Sequence, residues 1–305
     1  MRLELGINTC FGVKRWPRPQ DWAPIVRDRL GLTLIQHSLD LADLSGSPAD
    51  RAMQAAAVRD AVARAGLTLH STFTGLASYS DNLLLHPDAA RRHAARRWYR
   101  RAVDWSAEVA ARGIGGHVGA LSVADAGDPR LAGRRWQGLR RDLATIAARA
   151  RVRGLDFLLV ENLATAREPA TMRQVESLLT AGDAAHVPIR LCLDLGHMVA
   201  PGTHGADRDP YAWLTRLGPR AEVIQLQQSD TRSDHHWPFT AAHARTGRID
   251  PGRVIDALAE GGTSTGRLVI EVIPPFEERD SAVLDGLEAS VDVWRDALVR
   301  RGVAA

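Results

Sequence analysis

The sequence predicts an α/β fold: a single (β/α)8 TIM barrel that covers residues 1–305 as one domain. Three observations favour this fold. Short apolar runs occur eight times along the chain, amphipathic stretches with helical spacing lie between them, and each run is almost continuously hydrophobic. Continuous hydrophobic strands are typical of parallel sheets that helices cover on their outer face. Eight such units are the number that closes a parallel sheet into a barrel.

The predicted elements alternate in a regular order. Strands are predicted at residues 3–8, 32–39, 67–73, 113–120, 156–162, 188–197, 222–230 and 267–273. Helices are predicted near 19–30, 48–65, 87–112, 129–153, 169–181, 209–217, 251–260 and 281–301. Prolines at the helix starts and glycines after the helix ends mark most of these bounds. A doubly wound open sheet is the competing fold, but no GxGxxG motif follows the first strand.

The composition is that of an ordinary soluble globular protein. Of 305 residues, 45% are hydrophobic and 25% charged, and the net charge is +3. Lys14 is the sole lysine, and the arginines lie mostly on predicted helices, which favours solvated outer faces over a nucleic-acid surface. Cys10 and Cys192 form no CxxC pair and are expected to be buried thiols. We expect a cytoplasmic protein with no membrane or nucleic-acid partner, and a homodimer or homotetramer is compatible with the sequence.

Polar residues collect where the predicted strands end. The set comprises His70, His117, Glu161, Asp194, His197, Gln225, Gln227 and Glu271. The carboxyl ends of barrel strands form the active-site face, so these side chains are expected to converge. Glu161, Asp194 and Glu271 would repel one another in a shared buried pocket unless a cation or protons lay among them. A divalent metal is therefore predicted, with Mn2+ or Mg2+ suited to oxygen ligands and Co2+ or Zn2+ if imidazoles join.

Four motifs resemble those of the xylose-isomerase-like barrel superfamily. They are VEN on strand five, DLGH on strand six, QLQQSD on strand seven and IEV on strand eight. That superfamily includes ketose 3-epimerases, hydroxypyruvate isomerases, sugar-phosphate isomerase/epimerases and endonuclease IV. The resemblance implies that Glu161, Asp194, Gln227 and Glu271 are the metal ligands, with Gln225 as the alternative on strand seven. The epimerases usually have histidine at the third position, so Gln227 is a departure from their pattern.

The resemblance also implies a reaction. Glu161 and Glu271 would be the catalytic acid/base pair, moving a proton at the carbon next to a carbonyl through a cis-enediolate. The segments NTCFGVKRWP, STFTGLASYS, IGGHVGA, LLVENLATAREP and SDHHWPFT resemble a sugar-phosphate isomerase/epimerase subgroup associated with tetrulose phosphates. The chain is accordingly predicted to be a metal-dependent isomerase or epimerase of a small carbohydrate, a short ketose or ketose phosphate.

Seven residues are expected to bind the substrate. Two are cations in loops at the catalytic mouth, where they could bind a phosphate or carboxylate, and five are histidines: Lys14, Arg167, His70, His117, His197, His235 and His236. For Lys14 and Arg167 a surface salt bridge is the alternative. For His235 and His236 the alternatives are a packed corner held by Trp237 and Phe239, or an additional metal ligand.

Other functions stay open at this stage. A metal-assisted decarboxylase of a β-keto sugar acid would need the same site. An enzyme like endonuclease IV is a rival because His70, His117, His197, Asp234 and His236 fall at positions resembling its three-zinc cluster. Gln227 in place of a histidine ligand argues against it, as does the absence of a lysine-rich DNA-binding face in the sequence. A Schiff-base aldolase is nearly excluded because the sole lysine lies in a loop and not on a strand.

Overall fold

A computed structural model describes residues 1–182 and 186–303. Within these residues, eight strands form a closed parallel barrel in sequence order, and β8 pairs with β1. The strands are β1 (Arg2–Asn8), β2 (Leu34–Ser38), β3 (Thr68–Phe73), β4 (Gly113–Gly116), β5 (Phe157–Glu161), β6 (Ile189–Asp194), β7 (Ala221–Leu226) and β8 (Thr265–Ile270). The predicted (β/α)8 barrel is confirmed, whereas the assignment of the whole chain to one domain stays a prediction.

The helices surround the barrel. They are α1 (Pro19–Pro24), α2 (Pro48–Arg64), α3 (Ala89–Glu108), α4 (Val123–Gly127), α5 (Pro129–Val152), α6 (Met172–Leu179), α7 (Pro210–Leu217), α8 (Ala241–Ala244), α9 (Pro251–Glu260) and α10 (Asp280–Arg300). A π-helical turn, Ile25–Arg29, continues α1. The short helices α4 and α8 were not predicted. The predicted helix 169–181 begins later, at Met172, because Thr171 and Gln174 form a capping box there.

Several strands end earlier than the sequence predicts. The apolar runs 113–120, 188–197 and 222–230 each continue past their strands into the loops of the barrel mouth. At β4, for example, the backbone N–H of His117 donates to Thr74 Oγ1 rather than to a neighbouring strand. Gly115 allows β4 to lie against β5, because a Cβ at this position would be 2.0 Å from the Leu159 carbonyl oxygen. The loops after these three strands thus begin three or four residues earlier along the chain than expected.

The interior of the barrel is layered. Residues at every second position of a strand point to the same face, so Phe157, Leu159 and Glu161 of β5 all face inward. An apolar layer fills the middle and consists of Phe73, Phe157, Leu159, Cys192, Val223 and Val269. The much larger hydrophobic core lies between the barrel and its helices. Cys10 and Cys192 are buried free thiols, as predicted.

A helix can cross a membrane only if it is long and apolar enough. None of the helices in the described part of the chain is apolar and long enough to cross a bilayer. The cytoplasmic location stays a prediction.

Candidate active site and metal centre

Three buried carboxylates meet at the carboxyl ends of the strands. Glu161 ends β5, Asp194 ends β6, and Glu271 directly follows β8; an oxygen from each lies within 4.8 Å of the others. Burial raises the pKa of Glu161 to about 8. Burial, and then the charge of Glu161, raise the pKa of Glu271 well above its ordinary range. Three carboxylates buried this close together are stable only when a cation or protons neutralise part of their charge.

Each of the two glutamates has one oxygen fixed by neutral donors. The Tyr79 hydroxyl donates to Glu161 Oε1 at 2.7 Å. Glu271 Oε1 accepts 2.8 Å hydrogen bonds from Asn8 Nδ2 and Gln225 Nε2. Within the described residues, the Oε2 atoms of Glu161 and Glu271 are buried and have no hydrogen-bond partner. Buried oxygens are rarely left unpaired, so these two atoms fit ligands of a divalent cation.

The two strand-seven glutamines have different surroundings. Gln225 Nε2 donates to Glu271 Oε1 at 2.8 Å and to Gln36 Oε1 at 3.0 Å. Gln227 Nε2 donates to Asp194 Oδ1 at 3.0 Å and to Asp234 Oδ1 at 2.8 Å. Its Oε1 accepts the backbone N–H of His236 at 2.6 Å. Gln227 therefore orients Asp194 through its amide N–H, and its Oε1 keeps one lone pair beyond the hydrogen bond from His236. Its role as a metal ligand stays a prediction.

His197 and His236 lie beside the carboxylates. Asp194, His197 and His236 offer ligand atoms within 4.8 Å of one another. His197 Nδ1 is 3.5 Å from Glu161 Oε1, and His236 Nδ1 is 3.7 Å from Glu271 Oε2. Although burial opposes it, the charges of Asp194 and Asp234 raise the pKa of His197 well above its ordinary value. The structure thus brings both histidines to the predicted site.

His117 and His235 are more distant from the carboxylates. His117 stacks on the Tyr79 ring at 4.8 Å, so Tyr79 lies between it and Glu161. Burial lowers the pKa of His117 to about 4, which keeps the imidazole neutral. His235 stacks on Trp237 at 3.7 Å and pairs with Asp230 at 3.2 Å. This arrangement matches the packed-corner alternative for His235.

The structure does not bring His70 to the buried carboxylates, contrary to the expectation that it lies at the active-site face. His70 Nε2 lies 3.2 Å from Glu222 Oε1, and its ring stacks on Phe157 at 5.3 Å. Glu222 is the second residue of β7, and Phe157 is the first residue of β5, so His70 lies at the amino-terminal end of the barrel. The reason is that β3 extends to Phe73, three residues beyond His70, and the active-site face begins there.

The two predicted cations lie in mouth loops. Arg167 Nη1 donates to the Leu121 carbonyl oxygen at 2.8 Å, which joins the loops after β4 and β5. Lys14 is exposed in the loop after β1, and its Nζ lies 4.1 Å from the centre of the Phe276 ring in the loop after β8. Within the described residues their contacts are with these loops and not with the buried carboxylates.

Tyr79 is the residue that the sequence reasoning missed. It lies in the loop after β3, inside the segment STFTGLASYS, which was noted only for its resemblance to relatives. The Asp40 carboxylate anchors this loop by accepting the backbone N–H of Leu76 at 2.6 Å and of Ala77 at 2.9 Å. An aromatic hydroxyl in a loop after a strand end was the available signal, but aromatic loop residues are common.

The fold and this constellation can be compared with known proteins. The sequence matches the xylose isomerase-like TIM barrel family over residues 28–296. The chain belongs to this family. A protein of Rhodospirillum rubrum, solved as a proposed xylose isomerase, is 33% identical; the match covers 96% of this chain and 99% of that one, with a TM-score of 0.89.

Two further relatives extend the comparison of this family member. A D-erythrulose 1-phosphate 3-epimerase of Brucella abortus (strain 2308) is 28% identical, and the match covers 96% of each chain. A D-psicose 3-epimerase of Clostridium cellulolyticum H10, solved with D-tagatose, is 15% identical with a TM-score of 0.68, covers 97% of this chain and 99% of that one, and shows the fold alone. The comparisons confirm the superfamily and support the predicted enzyme class, an isomerase or epimerase.

Proposed function

We propose that this protein is a divalent-metal-dependent epimerase or isomerase of a short ketose phosphate, with a tetrulose phosphate as the first substrate to test. The observation that carries the proposal is the pair of glutamates, Glu161 and Glu271, which lie at a common site and each have one buried oxygen without a hydrogen-bond partner among the described residues. The similarity to a D-erythrulose 1-phosphate 3-epimerase, at 28% identity, supports the substrate class.

Glu161, Asp194 and Glu271 would hold the cation, and their oxygen donors favour Mn2+ or Mg2+. When bound, it would supply positive charge that stabilises the oxygens of an enediolate. Gln227 would fix the orientation of Asp194, as its 3.0 Å hydrogen bond indicates.

The two glutamates would carry the proton. General acid/base catalysis needs side chains within reach of the reacting carbon, and the carboxylates of Glu161 and Glu271 both lie at the common site. One glutamate would remove the proton from the carbon next to the carbonyl, and the other would return a proton to the opposite face, which inverts that carbon. The hydrogen bonds from Tyr79 to Glu161 and from Asn8 to Glu271 would hold each carboxylate in a fixed orientation for this transfer.

The test is proton exchange in D2O. The protein, loaded with Mn2+, is incubated with C3–C6 ketoses with and without phosphate, and deuterium next to the carbonyl is measured by mass spectrometry. We expect exchange with a tetrulose phosphate, and a loss of about 10²–10⁴-fold in Glu161→Gln and Glu271→Gln, the usual contribution of an acid/base group.

Glu222→Gln is the matched control, because Glu222 is a barrel glutamate at the opposite end and pairs with His70 at 3.2 Å. It should retain exchange. Full metal content and full exchange in both site variants would disprove the acid/base assignment. Absence of deuterium with every substrate would instead favour a metal-dependent decarboxylase.

A further inference from the structure

A closed ring of hydrogen bonds lies in the barrel interior beside Glu271, and one of its members, Gln36, has no part in the proposed proton transfer. The side-chain amides of Asn8 and Gln225 each donate to Glu271 Oε1 at 2.8 Å. The same two nitrogens also donate to Gln36 Oε1, both at 3.0 Å. Because an NH2 group has two hydrogens, each amide gives one to the glutamate and one to Gln36. Two nitrogens and two oxygens thus alternate around the ring.

The ring joins four neighbouring strands of the barrel. Asn8 ends β1, Gln36 lies in β2, Gln225 lies in β7 and Glu271 directly follows β8, and these strands are consecutive around the barrel. All four side chains belong to residues that are at most 1% exposed. Because bulk water does not reach these groups, the hydrogen bonds among them decide how each side chain is oriented.

The direction of the Gln36 amide is fixed from its other end. Gln36 Nε2 donates to Ser71 Oγ at 3.3 Å, and Ser71 Oγ lies 3.2 Å from His70 Nδ1. His70 Nε2 faces Glu222 Oε1 at 3.2 Å, and a carboxylate only accepts. Burial lowers the pKa of His70, so the neutral imidazole donates from Nε2 and accepts the Ser71 hydroxyl at Nδ1. Ser71 Oγ is then the acceptor for the Gln36 amide, and Gln36 Oε1 faces the ring.

A chain of hydrogen bonds therefore runs through the barrel interior, from Glu222 near its amino-terminal end to Glu271 at the active-site face. The local pairing of the strands makes this chain continuous. The register of β2 with β3 skips His70, so Gln36 lies opposite Ser71. Irregularities of this kind re-aim side chains next to active sites. His70 thus helps to orient the ring from the amino-terminal side of the barrel.

We propose that Gln36 is a positioning residue for Glu271, and that it acts through Asn8 and Gln225. Gln36 makes no hydrogen bond to Glu271 within the described residues, but its Oε1 gives both amides a second acceptor and so keeps their other hydrogens on Glu271 Oε1. Two donors on one oxygen fix the plane of the carboxylate and with it the direction of Oε2. The expected effect on the rate rests on the proposed function of Glu271, whereas the expected effect on cation binding needs no substrate.

The test replaces Gln36 with methionine, which has a similar length but no oxygen. Without the second acceptor, the Asn8 and Gln225 amides can rotate away from Glu271. Protein stripped of metal is titrated with Mn2+ in a calorimeter, and deuterium exchange is measured at saturating Mn2+ with the ketose that the wild type exchanges. We expect the Mn2+ affinity and kcat each to fall by about tenfold in Gln36→Met, and KM to stay within about threefold of the wild type.

Two further variants separate orientation from general stability. Gln36→Glu is the conservative variant, because a buried glutamic acid takes its neutral form, whose carbonyl oxygen accepts from both amides and whose hydroxyl donates to Ser71. It should keep the Mn2+ affinity within about threefold of the wild type. Thr72→Val is the matched control, since it removes a buried hydrogen bond to Ser106 of α3, on the outer side of β3, and it should keep the Mn2+ affinity and kcat. Thermal unfolding verifies each fold, and Gln36→Asn, which withdraws the oxygen by one methylene, replaces the methionine variant if that does not fold.

A double variant tests the route through Glu271. In the Glu271→Gln background, Gln36→Met should cause no further loss of Mn2+ affinity, because the group that Gln36 positions is already changed. The proposal would be overturned by a Gln36→Met protein within about twofold of the wild type in Mn2+ affinity, by a Gln36→Glu protein as weak as Gln36→Met, by an equal loss in Thr72→Val, or by a further tenfold loss, roughly, in the double variant. A wild type without exchange on any ketose would contradict the proposed function, and the Mn2+ titrations would still decide the role of Gln36.

Discussion

Replacing Tyr79 with phenylalanine would remove one hydrogen bond and leave an aromatic ring in place. The hydroxyl donates to Glu161 Oε1 at 2.7 Å, and the ring would still stack on His117. A hydrogen bond to a charged group contributes about 1.5–3 kcal/mol. If that bond orients Glu161 for proton transfer, its loss should lower kcat/KM by about 10- to 150-fold, since about 1.4 kcal/mol corresponds to a factor of ten.

The assay compares kcat and KM of Tyr79→Phe and wild type with D-erythrulose 1-phosphate, together with Mn2+ affinity by calorimetry. Because the hydroxyl acts on the position of Glu161, we expect the loss mainly in kcat. Tyr211→Phe removes a similar hydroxyl, which donates to the Arg248 carbonyl oxygen at 2.8 Å away from the carboxylates, and it should leave the kinetics unchanged. A Tyr79→Phe protein within twofold of wild type in kcat, KM and Mn2+ affinity would refute the orienting role.

Two further outcomes follow from other contacts. Burial between Trp22 and Trp105 lowers the pKa of His37 to about 4, so as the pH falls below about 6.5 the unfolded chain takes up the proton first. The free energy of unfolding should therefore fall by up to about 1.4 kcal/mol per pH unit between about pH 6.5 and pH 4. Urea titrations at two pH values should show a smaller fall in His37→Gln than in the wild type. Equal falls in the two proteins would contradict this role of His37. A Cβ at Gly196 would lie 2.3 Å from Gln227 Cδ. Gly196→Ala should therefore destabilise the fold by about 1–3 kcal/mol, measured by thermal unfolding. It should also weaken metal binding, measured by calorimetry. Gly138→Ala is its control, because no atom of the described residues lies within 4 Å of the new Cβ, and an effect of Gly196→Ala no larger than that of the control would exclude the clash.

The convergence of Glu161, Asp194 and Glu271 could be predicted because parallel barrel strands all end at one face and side chains alternate along each strand. The same reasoning gave the wrong end of the barrel for His70, because the position of this side chain depends on the residue at which β3 ends. The apolar run of β3 does not indicate that last residue. In β3 the strand continues to Phe73, so His70 is at the wrong end of the barrel.

Loop-dependent contacts were beyond prediction for a different reason. Tyr79 meets Glu161 across 82 residues of sequence, through a loop that has no periodic pattern. Gln227 lies beside Asp194, but the direction of its amide depends on the backbone N–H of His236 in the loop after β7. The orientation of a side chain at the site depends on hydrogen-bond partners in the loops. The hydrophobic pattern of the individual strands does not indicate which loop residues these are.

The position of Lys14 has a practical consequence for measuring motion at the barrel mouth. It is the sole lysine of the sequence, it is exposed, and its ammonium group rests on the Phe276 ring, 4.1 Å from the centre. An amine-reactive fluorophore would therefore attach to one side chain, besides the amino terminus, and arginines would not compete. Because that side chain spans the loops after β1 and β8, the dye would report on the separation of these two loops when a ligand enters, without any engineered cysteine.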